Sequence, residues 1–114
     1  LTAPPDPVRG RSAFVELRRR GRRAHDPALR VHFAPSQDDG HTVLVSYAIS
    51  RHVGGAVVRN LWRRRLRSIA SEIAAELPSG AYLVALNPAV RSLSFAELRE
   101  RVITTMRRAS GESG

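Results

Sequence analysis

Arg59, Arg63, Arg64, Arg65 and Arg67 stand within nine residues, with Asn60 among them, no acid in the run, and Glu72 the nearest acid after it. A guanidinium is a planar fork of donors that grips phosphate oxygens in pairs and stacks on bases. At about 100° per residue, Arg59, Asn60, Arg63, Arg64 and Arg67 fall on one side of a helix. Val58, Trp62, Leu66, Ile69, Ile73 and Leu77 fall on the other. Arg65 lies nearer the apolar side, beside Leu61 and Val58, and is expected to snorkel outward. A helix that buries one face and presents a row of guanidinium groups on the other is suited to a polyanion. An ordinary exposed helix mixes charge signs for solubility, and this one does not. Asparagine disfavours helix interiors, so Asn60 points to a hydrogen-bonding task with the turn before it or with RNA.

The rest of the chain offers little protein-based chemistry. The residues His25, His32, His41 and His52 show no metal-ligand spacing and no helical i,i+4 pair. Asp38, Asp39 and His41 could form an acid–base or metal group, but a turn explains them better, because Asp and Gly suit turns for backbone reasons. No Ser-His-Asp arrangement, phosphate-cradling glycine loop or carboxylate pair stands out, and no catalytic or metal-binding residue is assigned. There is no cysteine, which excludes a disulfide scaffold and a cysteine nucleophile and fits a reducing cytoplasm. The net charge is +9 and its basic part is all arginine. With a pI near 11.7, that points to nucleic acid ahead of a membrane surface. No run approaches the length of a bilayer span, and Leu1 to Val8 lacks the apolar segment of a signal peptide.

The elements that must position the arginines follow from pattern. The 114 residues suffice for a single domain, 1–114, with 1–11 and 110–114 expected to be flexible. Ser12 is placed to cap a first helix to about Arg20, stopped by Gly21, with Phe14 and Leu17 on its apolar side and Arg18 to Arg23 making its end basic. Leu29–Ala34 and Thr42–Ile49 read as strands flanking a turn, and Arg51–Val53 as a short extended piece before Gly54-Gly55. The basic helix runs from about Ala56 to Leu77. The apolar run Tyr82–Leu86 reads as a central strand. Ser94-Phe95-Ala96-Glu97 is a capping box for a last helix to about Arg108, with Phe95, Leu98, Val102 and Met106 inward. The expected fold is an α+β sandwich of order α-β-β-(β)-α-β-α, a mixed four-stranded sheet packed with three helices and containing a βαβ crossover.

The run Ser50-Arg51-His52-Val53-Gly54-Gly55-Ala56-Val57-Val58-Arg59-Asn60, with Arg63-Arg64 and Leu66-Arg67 after it, resembles the signature of the protein subunit of bacterial ribonuclease P. There a strand ending Ser-Lys-Lys-Val-Gly-Asn-Ala-Val runs into Arg-Asn-Arg-x-Lys-Arg on the next helix. Phe14 and Gly21 match a Phe and Gly spacing in that family's first helix, and nearly the whole chain is accounted for. Arg51 and His52 replace the two lysines, Gly55 the asparagine, and Leu61 the second arginine of the triplet, while Arg63 stands where lysine is common.

The resemblance implies a subunit that binds a large catalytic RNA and helps it remove the 5′ leader from precursor tRNA. Arg51, His52, Gly54, Gly55, Arg59, Asn60, Arg63, Arg64 and Arg67 would face the catalytic RNA. Phe14, Arg18, Arg30 and His32 would line a cleft for the single-stranded leader, gripping phosphates by charge and stacking bases. Phosphodiester hydrolysis would belong to the RNA, with Mg2+ held mainly by RNA. The partners are ribonuclease P RNA and precursor tRNA, with no membrane and no obligate protein partner. The resemblance also implies a left-handed βαβ crossover, against the usual right-handed rule. The alternatives are a general or ribosomal RNA-binding protein without a role in tRNA processing, and a stand-alone nuclease built on Asp38, Asp39 and His41.

Overall fold

The computed structural model describes residues 4–36 and 40–111. Helix α1 (Arg11–Arg20) is followed by strands β1 (Arg22–Asp26), β2 (Leu29–Pro35) and β3 (Val43–Ile49). Then come α2 (Ala56–Ile73), β4 (Gly80–Leu86) and α3 (Phe95–Ala109), with 3-10 turns at Arg51–Val53, Ala74–Glu76 and Pro88–Ser92. The strands form one mixed sheet in the order β1-β2-β4-β3. The β1–β2 and β2–β4 pairs are antiparallel, and β3 pairs parallel with β4. The chain passes from β3 through α2 to β4, the crossover that a parallel neighbour requires. This is the expected α+β sandwich, with β4 central, which is why Tyr82–Leu86 carries apolar residues on both faces.

The two sheet faces bury different things. Leu29, Val31, Phe33, Val45, Tyr82, Val84 and Leu86 pack with Trp62, Leu66, Ile69 and Ile73 of α2 and Leu98, Val102 and Met106 of α3. The opposite face holds a small cluster in which Leu17 of α1 meets Leu83 and Val8, with Phe14, Ala34, Leu44 and Ala81 around it. One helix thus covers only part of one face, while two cover the other.

The fourth strand is not the piece expected at Arg51–Val53. That segment is a 3-10 turn in which the Ser50 hydroxyl accepts from the His52 N–H at 3.2 Å. The additional strand is β1, whose first two residues, Arg22 and Arg23, were expected at the basic end of the first helix. Gly21 stops α1, and a Cβ there would lie 2.8 Å from the Phe33 carbonyl oxygen, so the chain can turn this close to β2 only as glycine. Pro27-Ala28 then reverses the chain, with Asp26 Oδ1 accepting from the Ala28 N–H at 2.9 Å. β1 is an edge strand whose one buried residue is Ala24, so it carries almost no apolar alternation to read.

Smaller differences have similar causes. Ser12 lies inside the first turn of α1, which begins after Gly10 at φ 88° with no side-chain cap. Phe95, at the first position of α3, is 42% exposed and does not join Leu98, Val102 and Met106 inside. Val58 is likewise 40% exposed, because the start of α2 projects past the core. The capping box does form: the Ser94 hydroxyl accepts from the Glu97 N–H at 3.1 Å and Glu97 Oε1 from the Ser94 N–H at 2.9 Å.

The start of the chain, expected to be extended or flexible, lies along the edge of β3. Asp6 bridges to Leu44, the Val45 N–H donates to the Asp6 carbonyl at 2.8 Å, and the Val8 N–H donates to Ser46 Oγ at 2.8 Å.

Candidate nucleic-acid interface

The arginine row is on the outer side of α2. Asn60, Arg64 and Arg67 are exposed, Arg59 and Arg63 half-buried. Together with Val57, the residues Asn60, Arg63, Arg64 and Arg67 line an open groove of about 470 Å3. Asn60, expected to bond to the turn before it or to RNA, bonds along its own helix: its Oδ1 accepts from Arg63 Nη1 at 3.1 Å and holds one guanidinium along the groove. Arg65 turns back over the Trp62 ring, 4.8 Å from its centroid, a cation–π contact that leaves the row itself uncovered.

The entry to α2 favours anions further. The helix has no side-chain cap and no acid in its first turn, so its first N–H groups are free to meet a ligand and their dipoles point positive charge outward. Arginine near that end is unfavourable for the isolated helix, and a phosphate would relieve both. Arg51 and His52 are exposed on the 3-10 turn, while Val53 anchors the turn in the core. The two glycines differ. A Cβ on Gly54 would come within 2.8 Å of the Val58 side chain, whereas one on Gly55 would meet nothing. Gly54 therefore has a packing reason, and Gly55 leaves open space at the mouth of the helix.

The second group lies on the α1 side of the sheet. Arg30 and His32 share a face of β2, and β1 brings Arg23 and His25 opposite them. His32 is buried, with Nδ1 lacking a hydrogen-bond partner among the described residues. Burial first, then the charges of Arg30, Arg23, Arg18 and His25, hold its pKa below the ordinary 6.5. Arg18, Arg30 and His32 are thus electrostatic neighbours across α1 and β2. Phe14 is half-buried against the Leu17–Leu83 cluster, partly a core residue. Where α1 stops covering the sheet, an open groove of about 500 Å3 continues past His25, Arg30, Ala48, Ser50 and Ala85 to Asn87.

A family model described as Ribonuclease P matches residues 4–110. The chain belongs to the ribonuclease P protein family. Its function is that of a protein component of ribonuclease P, an RNA-binding subunit in tRNA processing. It is 39% identical over 108 residues to the ribonuclease P protein component of Nocardioides, covering 92% of each chain. With that of Thermus thermophilus it shares 34% over 102 residues, which is 90% of this chain and 58% of the relative. The fold is that of the Staphylococcus aureus RNase P protein, with TM-score 0.81, 14% identity, and coverage of 90% of this chain and 94% of that one. The Thermotoga maritima RNase P protein superposes with TM-score 0.79 at 20% identity, over 90% of this chain and 96% of that one.

Within this family frame, the nine residues assigned to the catalytic-RNA side from the motif lie on α2 and on the turn that leads into it. Of the four cleft residues, Arg18, Arg30 and His32 come together, and Phe14 packs half-buried against the Leu17–Leu83 cluster. Arg23 and His25 were missed, because only the pairing of β1 with β2 brings them to this face; the Asp26-Pro27 turn signal was the available clue. His41 is engaged elsewhere, its Nε2 lying 2.8 Å from the Leu77 carbonyl oxygen. Asp38 and Asp39 lie outside the described residues. Among the described residues no three His, Asp or Glu side chains come together as metal ligands, and no helix is long and apolar enough to cross a membrane.

Proposed function

We propose that this subunit grips the catalytic RNA of ribonuclease P with the outer face of α2 and its entry turn, and the 5′ leader of precursor tRNA with the α1 side of the sheet. The RNA carries the phosphodiester hydrolysis together with its Mg2+, in the cytoplasm, and no step is assigned to a protein side chain. The observation that carries this reading is the acid-free row Arg59, Asn60, Arg63, Arg64 and Arg67 beside an uncapped helix start. Arginines on the other face of the molecule, with His32 and the half-buried Phe14, suit a flexible single strand whose phosphates need charge and whose bases need a flat partner. The protein's contribution is to neutralise repulsion between two RNAs and to hold the leader in register.

The deciding experiment is cleavage of precursor tRNA at low Mg2+ by a bacterial ribonuclease P RNA, with and without the protein. Stimulated cleavage at the mature 5′ end is expected. RNA binding without stimulation of the cognate RNA would favour a general RNA-binding role instead, and cleavage by the protein alone would put the active site in this chain. The double variant Arg63→Ala/Arg67→Ala is expected to stay folded, bind the catalytic RNA more weakly and lose about two from the log–log salt slope. An unchanged slope would remove α2 from the RNA-facing surface.

A further inference from the structure

Beside the arginine row, the N-terminal segment and α2 enclose a second groove, of about 390 Å3. Pro4, Pro5, Asp6 and Pro7 form one wall, Arg63 and Arg67 the other, and the edge of β3 at Tyr47 the floor. The wall is fixed in place by the bonds that tie Asp6 and Val8 to β3. Tyr47 stands in the row of Val43, Val45 and Ile49 on β3 and is partly buried against the core. Its hydroxyl is buried and has no hydrogen-bond partner among the described residues. Buried hydroxyls are nearly always paired, with protein or with water, and Tyr47 lines the groove from which a ligand would meet this one. Burial pushes its pKa up to about 12, against the opposing pull of Arg67, so at neutral pH it remains a donor.

The groove offers donors above all. Arg63 has spent one N–H on Asn60, and neither Arg63 nor Arg67 has an acidic partner among the described residues. Asp6 is the one carboxylate in the wall; it is exposed and forms no ion pair with either of them. A ligand there meets two cations and a hydroxyl donor against one acid, which fits an oxyanion. Because Arg63 and Arg67 also line the α2 groove, a strand lying along α2 would run directly into this one.

We propose that this groove holds one RNA phosphodiester, with the Tyr47 hydroxyl donating to a non-bridging oxygen and Arg67 and Arg63 neutralising the charge. The inference rests on the RNA-facing reading of α2 and adds a neutral donor and the N-terminal wall to that surface. Catalytic RNA and precursor tRNA both carry the ligand chemistry. The position on the α2 side, across the sheet from α1, favours the catalytic RNA.

The test is Tyr47→Phe in the full chain, which removes one oxygen atom. Affinity for ribonuclease P RNA, and affinity of the assembled enzyme for precursor tRNA, are measured across a salt series. Arg67→Ala, the double variant Tyr47→Phe/Arg67→Ala and Arg64→Ala are measured beside it. Tyr47→Phe should melt no lower than wild type and bind the catalytic RNA about tenfold more weakly at every salt concentration. Its salt slope should be unchanged, while Arg67→Ala loses about one from the slope. The double variant should lose less than the product of the two single losses. A loss confined to precursor tRNA would keep the phosphate site and assign it to the substrate. Wild-type affinity of Tyr47→Phe for both RNAs, with Arg64→Ala weakened, would overturn the site and leave the function standing. Wild-type binding by Arg64→Ala as well would instead sink the RNA-facing reading of α2 and the site with it.

Discussion

His32 is neutral by design of its surroundings: burial and four basic neighbours all oppose a proton on the ring. Its folded pKa lies below 6.5, so between that value and 6.5 the unfolded chain binds more protons than the folded one. Stability is therefore full above about pH 6.5 and is lost as pH falls through the folded pKa. Urea unfolding between pH 8 and pH 5 should show this decline in the wild type and a shallower one in His32→Gln. Equal slopes in the two proteins would mean that other groups govern the acid side. An RNA phosphate near the ring would reverse the electrostatics, and leader binding should raise the His32 pKa, measurable by NMR. At this scale the arginine row was legible because side chains one helical turn apart carry their geometry in their spacing. The His32 cluster was only half legible. Strand parity placed Arg30 with His32, but Arg23 and His25 join them through backbone pairing between segments, which leaves no local mark.

The turn into α2 gives the sharpest contrast between neighbouring positions. Gly54→Ala places a Cβ within 2.8 Å of Val58, and a forced fit of this kind costs about 1–3 kcal/mol. Gly55→Ala meets open space, so the melting temperature should barely move and any penalty should fall on RNA affinity. Thermal melts of the two variants, with RNA binding measured on each, check the division; a stable Gly54→Ala would remove the packing reason for that glycine. The legibility of elements followed how much apolar burial each one carries. α2, β4 and α3 bury a stripe or a run, and their periods were clear. β1 buries Ala24 alone and is held by hydrogen bonds to β2, by Arg101 reaching Asp26 and by Arg108 donating to the His25 carbonyl at 2.7 Å. Such a strand is specified by its neighbours. Phe95 shows the converse error: it obeys the period of α3, but the helix starts before the sheet is there to cover it.

The whole molecule carries +9 on a compact body, with guanidinium groups on both sides of one sheet. If six or more phosphate contacts form, affinity for the catalytic RNA should drop by about a thousandfold or more between about 50 and 200 mM salt. A weak dependence, read from binding isotherms over that range, would mean that the charge is not spent on phosphate. The sheet order β1-β2-β4-β3 puts the strand made last in the middle. Synthesis therefore delivers β2 and β3 with no strand between them, and α2 with β3 beside it but before β4 and α3 complete the core around Trp62 and Leu66. A chain ending at residue 79 should accordingly lack a cooperative melt. Until β4 arrives, the nascent segment is adhesive twice over, apolar on one side and cationic on the other. Its insertion joins β2 to β3 and closes the sheet, and long-range pairing of this kind is slow to form, so the arginine-rich tract gains its fixed surface only after β4 is in place.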